Sequence, residues 1–301
     1  MDDTATGVQT GSINEPTAAA LVDELFVTGN WFASRSADGG TTWSLVDPFT
    51  TFPEEPGGFC CDQIVLHEPS RNLWIWILQY IQQGGSNVFR LAISASGVPD
   101  SWTFWDFSPG LIDAAWETNA WFDYPDAATS DDSLYVTFNV FDTASPANWL
   151  GAVVFRLPLD GLVSGDLEYE FLPVTTHGSL RLTRGATSDM YFASHNGQNP
   201  VRIFRWPDQS NATISSFEVS ASDWSGQTPY SSPGPGGAEW LGRVDPRITG
   251  GWVVGNEVGF LWTANSGPGR PQPYVKALIA DTDAQSLVSE PDIWNESAAC
   301  A

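Results

Sequence analysis

The chain has 301 residues, a length that suits either two small domains or one compact all-β unit such as a propeller. Its 12 Lys and Arg residues stand against 36 Asp and Glu residues, and the formal charge of −24 would repel nucleic-acid backbones and anionic membrane surfaces. No stretch reaches the roughly 18 consecutive apolar residues of a membrane span, and the first residues lack the charged and apolar segments of a signal peptide. We therefore expect no nucleic-acid partner and no membrane insertion.

Strand-like segments recur along the chain in sets of four. Each set opens with a short polar segment and continues with an aromatic, β-branched run such as NLWIWILQY (72–80). A segment such as NVFRLAIS (87–94) and a further strand-like segment complete the set. The predicted sets cover residues 14–50, 60–108, 123–174, 179–222 and 243–294.

Such a repeat of four strands is typical of the blades of a β-propeller. We predict one all-β propeller domain over residues 1–301, with five antiparallel blades visible and six or seven if the natural chain continues. Arg90, Arg156 and Arg205 recur at the same strand position, and we interpret them as ion pairs between blades.

Residues 36–43 read SADGGTTW and match the Asp-box pattern Ser-x-Asp-x-Gly-x-Thr-Trp at every specified position. Glycine permits a positive φ in such a turn, and the Ser and Asp side chains bind nearby backbone amides. The segment resembles the bacterial neuraminidase repeat (BNR) of sialidases and other propellers, and it lies where that family carries it, between the third and fourth strands of a blade. The resemblance implies a sialidase-like propeller in which this turn is structural.

The first strand of each blade lines the central channel of a propeller, so the polar starts of these strands form the candidate site. We predict catalytic roles for Tyr124, Asp123, Asp62 and His195. We predict substrate-binding roles for Arg181, Arg247, Arg243, Gln63, Asp245 and Trp121.

Three chemistries fit these residues. Sialidases use a Tyr activated by a Glu, an Asp and three Arg, which Tyr124 beside Asp123 resembles in part, although the Phe-Arg-Ile-Pro type motif of that family is absent. A polysaccharide lyase would use Tyr124 or His195 as the base that removes a proton next to a carboxylate. A two-carboxylate glycosidase would draw its acid and base from four aspartates: Asp62, Asp123, Asp126 and Asp245.

The sequence thus predicts a secreted carbohydrate-active enzyme, either a glycoside hydrolase or a polysaccharide lyase, acting on a polysaccharide or glycan at the mouth of the channel. The alternative is a noncatalytic propeller that binds glycans or proteins. Sugar rings would stack on two of four tryptophans in longer connections: Trp116, Trp121, Trp149 and Trp240.

The sequence does not determine whether a metal is bound or how the cysteines are bonded. We assign no metal ligand, although structural calcium would be compatible with an acidic channel if oxygens cluster there. Cys60 and Cys61 could form a vicinal disulfide, one of them could pair with Cys300, or both could be buried as small residues, and burial is the default interpretation.

Overall fold

The protein, described by a computed structural model, consists almost entirely of antiparallel β-sheet. The model describes residues 15–55, 57–145, 148–231, 237, 239, 241–267 and 269–294. The strands form five sheets, in each of which neighbouring strands follow one another along the chain. The predicted fold class, all-β with blades of four antiparallel strands, is confirmed.

The strand bounds show the repeat directly. The first sheet contains β1 (Thr17–Leu21), β2 (Glu24–Thr28), β3 (Ala33–Ser36) and β4 (Ser44–Val46). The second contains β5 (Phe59–Glu68), β6 (Leu73–Tyr80), β7 (Phe89–Ser94) and β8 (Thr103–Phe107). The third contains β9 (Ala120–Thr129), β10 (Ser133–Asp142), β11 (Trp149–Pro158) and β12 (Glu170–Val174).

The last two sheets follow the same plan. The fourth contains β13 (Arg181–Leu182), β14 (Asp189–His195), β15 (Pro200–Pro207) and β16 (Ser215–Ser220). The fifth contains β17 (Ile248–Val254), β18 (Glu257–Ala264), β19 (Tyr274–Asp281), β20 (Ser286–Ser289) and β21 (Asp292–Ile293), the last paired with β19. Helix α1 (Leu159–Ser164) and short 3-10 turns at Pro109–Leu111 and Ala114–Trp116 complete the described elements.

The chain divides into two compact units. One unit comprises residues 1–127 and 136–175, and it contains the first three sheets apart from the end of β9, the following turn and the start of β10. The other comprises residues 128–135 and 176–301 and contains the last two sheets. A single propeller domain over residues 1–301 stays a prediction.

The second strand of the second sheet shows why these sequences fold as interior strands. β6 reads LWIWILQY and is buried along its whole length. The ring of Trp76 on β6 packs edge-on against Phe26, with the ring centres 5.1 Å apart. Large aromatic side chains bury the most apolar area per residue, and strands provide a pleated surface for them. These aromatic runs therefore form the core.

The SADGGTTW segment forms the turn between β3 and β4. The backbone amide of Gly40 donates to Ser36 Oγ at 2.8 Å, and the amide of Thr42 donates to Asp38 Oδ1 at 2.8 Å. The hydroxyl and amide of Thr42 hold the pKa of Asp38 down at about 2. Trp43 Nε1 donates to the Gly40 carbonyl oxygen at 3.0 Å. The motif therefore acts as a hydrogen-bonded turn in this chain.

The recurring arginines each pair with an acidic side chain of their own sheet, and additional ion pairs between blades stay a prediction. Arg90 on β7 lies opposite Asp106 on β8 and contacts its carboxylate at 2.7 Å. Arg156 on β11 lies opposite Glu170 on β12, with the charged atoms 3.9 Å apart. Arg205 contacts Asp189 of the neighbouring strand at 2.9 Å. Arg90 also contacts Glu55, in the connection between the first and second sheets, at 3.3 Å.

Within the described ranges, no helix is long and apolar enough to cross a membrane.

The contrast between Arg90 and Arg205 yields a stability prediction. The Arg90 side chain is fully buried, whereas that of Arg205 is 48% exposed. Arg90→Met leaves Asp106 without its buried partner and should lower the free energy of unfolding by about 3 kcal/mol. The matched control Arg205→Met should cost at most about 1 kcal/mol, because an exposed pair contributes little. Denaturant unfolding of both variants measures this difference, and equal losses would contradict it.

Candidate functional site

The site in the first unit begins with an irregularity in β5. Phe59 pairs with Tyr80 and Gln63 pairs with Leu78, so three residues of β5 lie opposite the single residue Gln79 of β6. The three are Cys60, Cys61 and Asp62. Bulges bend a strand and redirect its side chains, and they are frequent beside active sites. The bulge removes Asp62 from the regular alternation of the strand.

A disulfide joins Cys60 and Cys61 within this bulge. The vicinal disulfide, one of the alternatives that the sequence leaves open, is therefore the observed state. The default interpretation of two buried free thiols is wrong, since both residues are only half-buried and their sulfurs are bonded. Cys300 lies outside the described residues.

Asp62 lies among other carboxylates. Its side chain shares a hydrogen bond with Glu15, and the negative charges of Glu15 and Asp123 act on it. Partial burial, followed by these two like charges, raises the pKa of Asp62 to about 8. The carboxyl of Asp62 is therefore protonated at neutral pH, an unusual state for an aspartate.

Asp123 is held by a buried amide. Gln79 Nε2 donates to Asp123 Oδ1 at 3.2 Å. Gln79 is 1% exposed, and its Oε1 atom is buried without a hydrogen-bond partner in the described part of the chain. Tyr124, next along β9, has φ = 56°, a backbone conformation that non-glycine residues seldom adopt and that is found at functional sites. Glu15, just before β1, has φ = 42°.

This arrangement can move protons. A carboxyl that keeps its proton at neutral pH is a potential general acid, and a neighbouring carboxylate is a potential general base or nucleophile. Environments that push the pKa values of paired carboxyls apart are characteristic of enzymes that use one as acid and the other in ionised form. Asp62, with its raised pKa, and the neighbouring Asp123 are the candidate pair in this chain.

A pocket of about 350 Å³ opens beside the bulge. Phe59, which immediately precedes Cys60, and Tyr80, which immediately follows Gln79, both line it. Phe49 lines it too and packs edge-on against Phe59, with the ring centres 5.0 Å apart. The volume falls in the range of small-ligand sites.

Two further predicted residues of this unit have internal partners. Gln63 Nε2 donates to the Phe32 carbonyl oxygen at 3.1 Å, and Trp76 Nε1 donates to Gln63 Oε1 at 2.9 Å. With the side chain 3% exposed and both ends of the amide bonded, Gln63 fits a structural role better than the predicted substrate contact. Trp121 is half-buried, and its ring centre lies 5.8 Å from that of Phe141.

The other predicted residues lie in the second unit. Arg181 Nε donates to the Ile248 carbonyl oxygen at 3.4 Å. Arg247 forms an ion pair with Asp245, whose carboxylate also accepts from the Arg247 backbone amide at 2.9 Å. Arg243 is exposed in the turn before β17. Trp240 lies outside the described residues.

His195 is enclosed at the end of β14. Its Nε2 lies 2.9 Å from the Pro246 carbonyl oxygen and carries the ring proton, because a carbonyl can only accept. Its ring centre is 5.2 Å from Trp224 and 5.0 Å from Trp262. Burial lowers the pKa of His195 to about 4, and its Nδ1 is buried without a hydrogen-bond partner within the described ranges. This geometry suits a packing role better than the predicted role as a base.

The described part of the protein contains no candidate metal site built from His, Cys, Asp and Glu side chains. No group of three or more His, Cys, Asp or Glu side chains there could hold a metal ion. These side chains therefore give no candidate site for structural calcium within the described residues.

Comparison with known proteins gives structural matches alone. No family model matches the chain, and no curated protein does. An exo-β-1,3-galactanase from Clostridium thermocellum is similar over 95% of this chain, at 13% identity and a TM-score of 0.45, and this chain spans only 63% of its length. An α-L-arabinofuranosidase from Fusarium graminearum is similar over 98% of this chain and 96% of its own, at 12% identity and a TM-score of 0.44. A GH43 endo-arabinanase from Bacillus licheniformis is similar over 90% of this chain and 95% of its own, at 11% identity and a TM-score of 0.41. No residue role is transferred from them.

The raised pKa of Asp62 yields a prediction for stability. Between pH 4 and 8 the folded chain keeps the Asp62 proton while the unfolded chain loses it, so the wild type loses stability as pH rises. Asp62→Asn removes this loss. Its Tm relative to wild type should therefore rise from about pH 4 to about pH 8 and stay level above that.

Thermal unfolding across this pH range is the measurement. Asp166→Asn, at an exposed position, controls for removing one charge from a protein of net charge −24. A Tm difference for Asp62→Asn that does not change with pH would show that Asp62 ionises like an ordinary aspartate.

His195 yields a prediction of the opposite sign. Its lowered pKa means that the unfolded chain takes up a proton between pH 6.5 and 4 while the folded chain does not, so stability falls as pH falls through this window. His195→Gln should be less stable than wild type at pH 8, and the gap in Tm should narrow towards pH 4. A constant gap would contradict the enclosed, neutral imidazole.

Proposed function

We propose that the chain is a glycoside hydrolase that cleaves a polysaccharide at the carboxylate site of the first unit, with Asp62 as proton donor. The observation that carries the proposal is the carboxyl of Asp62, half-buried in a bulge beside Glu15 and Asp123 and protonated at neutral pH.

The chemistry of glycosidic bonds explains why this observation matters. The leaving sugar oxygen is a poor leaving group until it receives a proton, and general acids in glycosidases have raised pKa values for this reason. Asp62 supplies that proton as the bond between the anomeric carbon and the oxygen breaks. In a one-step route, Asp123 takes a proton from a water whose oxygen forms the new bond to the anomeric carbon. In a two-step route, the Asp123 carboxylate first bonds to the anomeric carbon, and water then displaces it while the ionised Asp62 takes the proton of that water.

Gln79 and Glu15 support the pair. The Gln79 amide donates to one oxygen of Asp123 and so helps to orient that carboxylate. Glu15 keeps the proton on Asp62 through its hydrogen bond and its negative charge. Both act through another residue and are positioning residues in this proposal.

The substrate is a polysaccharide of neutral sugars. A protein of net charge −24 with clustered carboxylates repels polymers of uronic acids. The pocket of about 350 Å³ beside the bulge has room for a sugar ring, and its aromatic side chains can pack on the apolar face of that ring.

The other predicted chemistries have less support. A lyase using His195 would need an accessible imidazole nitrogen, whereas Nδ1 of His195 is buried and Nε2 is bonded to Pro246. The likeness to sialidase-like, Asp-box propellers rests on the turn at 36–43 and on the blades, and in this proposal it extends to architecture and not to chemistry. A noncatalytic glycan- or protein-binding module would not need a proton held between like charges.

An extracellular location accompanies the proposal. A disulfide such as Cys60–Cys61 persists in an oxidising compartment, which the outside of a cell provides.

The test is hydrolysis of a panel of neutral and acidic polysaccharides. The wild type should release new reducing ends from a neutral polymer without the absorbance of unsaturated uronates. Asp62→Asn and Asp123→Asn should each lower kcat by about 100-fold or more, because each removes one proton-transfer group. The surface variant Asp166→Asn should keep full activity.

Other outcomes assign the other candidates. If the wild type forms unsaturated products and Tyr124→Phe does not, the protein is a lyase that uses Tyr124 as its base and not a hydrolase. If the folded protein binds glycans but cleaves no polymer, it is a noncatalytic binding module.

A further inference from the structure

The bulge that carries Asp62 is closed by a covalent ring. Cys60 and Cys61 are neighbours in sequence, and their disulfide forms a small ring through the peptide bond between them. The ladder between β5 and β6 is interrupted only across Cys60–Asp62 and resumes at Gln63 opposite Leu78. Two of the three bulged residues are thus tied to each other, and Asp62 follows them directly.

The opposite strand completes the arrangement. Gln79 is the residue of β6 that faces the bulge, and its amide holds Asp123. One irregular step in the ladder therefore positions both members of the proposed catalytic pair, Asp62 from the bulge and Asp123 through Gln79. Since residues in a bulge lack ladder hydrogen bonds, another constraint is needed to keep Asp62 in one place.

We propose that the Cys60–Cys61 disulfide is a positioning element of the catalytic site, which holds Asp62 against Glu15 and beside Asp123, so that activity depends on the redox state of this bond. The inference rests on the proposed function for its kinetic consequence. Its structural part, the placement of Asp62 by the disulfide, stands on the bulge alone.

The redox step is simple thiol–disulfide exchange. A dithiol such as dithiothreitol gives two electrons and two protons, the S–S bond opens to two thiols, and the dithiol closes to a cyclic disulfide. Both cysteines are half-buried and within reach of a small reductant. Opening the ring frees the backbone of Cys60 and Cys61 and lets Asp62 move from the two carboxylates that act on it, Glu15 before β1 and Asp123 on β9.

The experiment compares oxidised wild type, wild type reduced with dithiothreitol, and the double variant Cys60→Ser/Cys61→Ser. Reduction should lower kcat by about 10- to 100-fold, as expected when a catalytic group is misplaced by about 1 Å. The alkaline limb of the pH–kcat profile should move to lower pH, because Asp62 away from its like-charged neighbours loses its proton more easily. The double variant should match reduced wild type and show no further response to the reductant.

Controls separate this effect from other causes. Cys300→Ser should respond to dithiothreitol as the wild type does, which excludes the third cysteine. Reoxidation should restore the wild type and not the double variant. Reduction that leaves kcat and the pH profile unchanged would overturn the proposal, and so would a lower kcat with an unmoved alkaline limb, which would indicate general loosening.

A second measurement needs no substrate. In the wild-type background, the Tm difference between Asp62→Asn and the unsubstituted protein should change with pH. In the Cys60→Ser/Cys61→Ser background, the same pH-dependent difference, called the Tm offset, should be smaller. An offset that keeps its full size in the serine background would overturn the proposal even where hydrolysis is found. An offset that shrinks while no polysaccharide is cleaved would support the positioning role and refute the hydrolase alone.

Discussion

The partial burial of Asp62 beside two other carboxylates is the constraint on which the proposed function depends. Placing a half-buried carboxyl beside Glu15 and Asp123 would be costly if all three were ionised, and the molecule resolves this by keeping the proton on Asp62. A stored proton at neutral pH has an evident chemical use and no evident structural one. Residues that lower the stability of a protein but serve its chemistry are typical of functional sites.

The rest of the first unit provides the rigidity that this arrangement needs. β6 is buried at every position, and the aromatic rings around Trp76 fix it in the second sheet. Against this regular strand, β5 departs from the ladder for only three residues. Glu15, just before β1, and Tyr124, within β9, also have positive φ values. In the proposed site, the polar side chains therefore come from irregular positions in or next to the first strands of the sheets.

Much of the fold could be predicted from the sequence because its signals are local. Aromatic, β-branched runs such as residues 72–80 mark interior strands, and SADGGTTW specifies its own turn through short-range hydrogen bonds. The partners of Arg90 could not be predicted in the same way, because they depend on the register between β7 and β8. The repeated sequence pattern shows that Arg90 occupies the same strand position as the other recurring arginines. It does not show which residue of the adjacent strand lies opposite.

The candidate site could be predicted only in part, because its contacts also depend on which strands lie next to each other. The polar start of β5 pointed to Asp62, but neither the disulfide bulge nor the hydrogen bond to Glu15 has a sequence signature that excludes other states. Gln79 was missed, although one glutamine inside the buried run LWIWILQY is a usable signal, because a buried amide requires a partner. His195 illustrates the reverse error, since a histidine at a strand end in a Gly-containing turn looks accessible until Trp224 and Trp262 are seen to enclose it.

A direct titration of Asp62 tests whether its carboxyl keeps its proton at neutral pH. Carbon NMR of the protein labelled at the aspartate side-chain carboxyl, compared with the same spectra of Asp62→Asn, identifies the resonance of Asp62 and follows it with pH. One carboxyl resonance should be missing from the variant and should titrate with a midpoint near pH 8 in the wild type. A midpoint near the ordinary aspartate value of about 4 would mean that Asp62 is ionised at neutral pH and cannot serve as the proton donor.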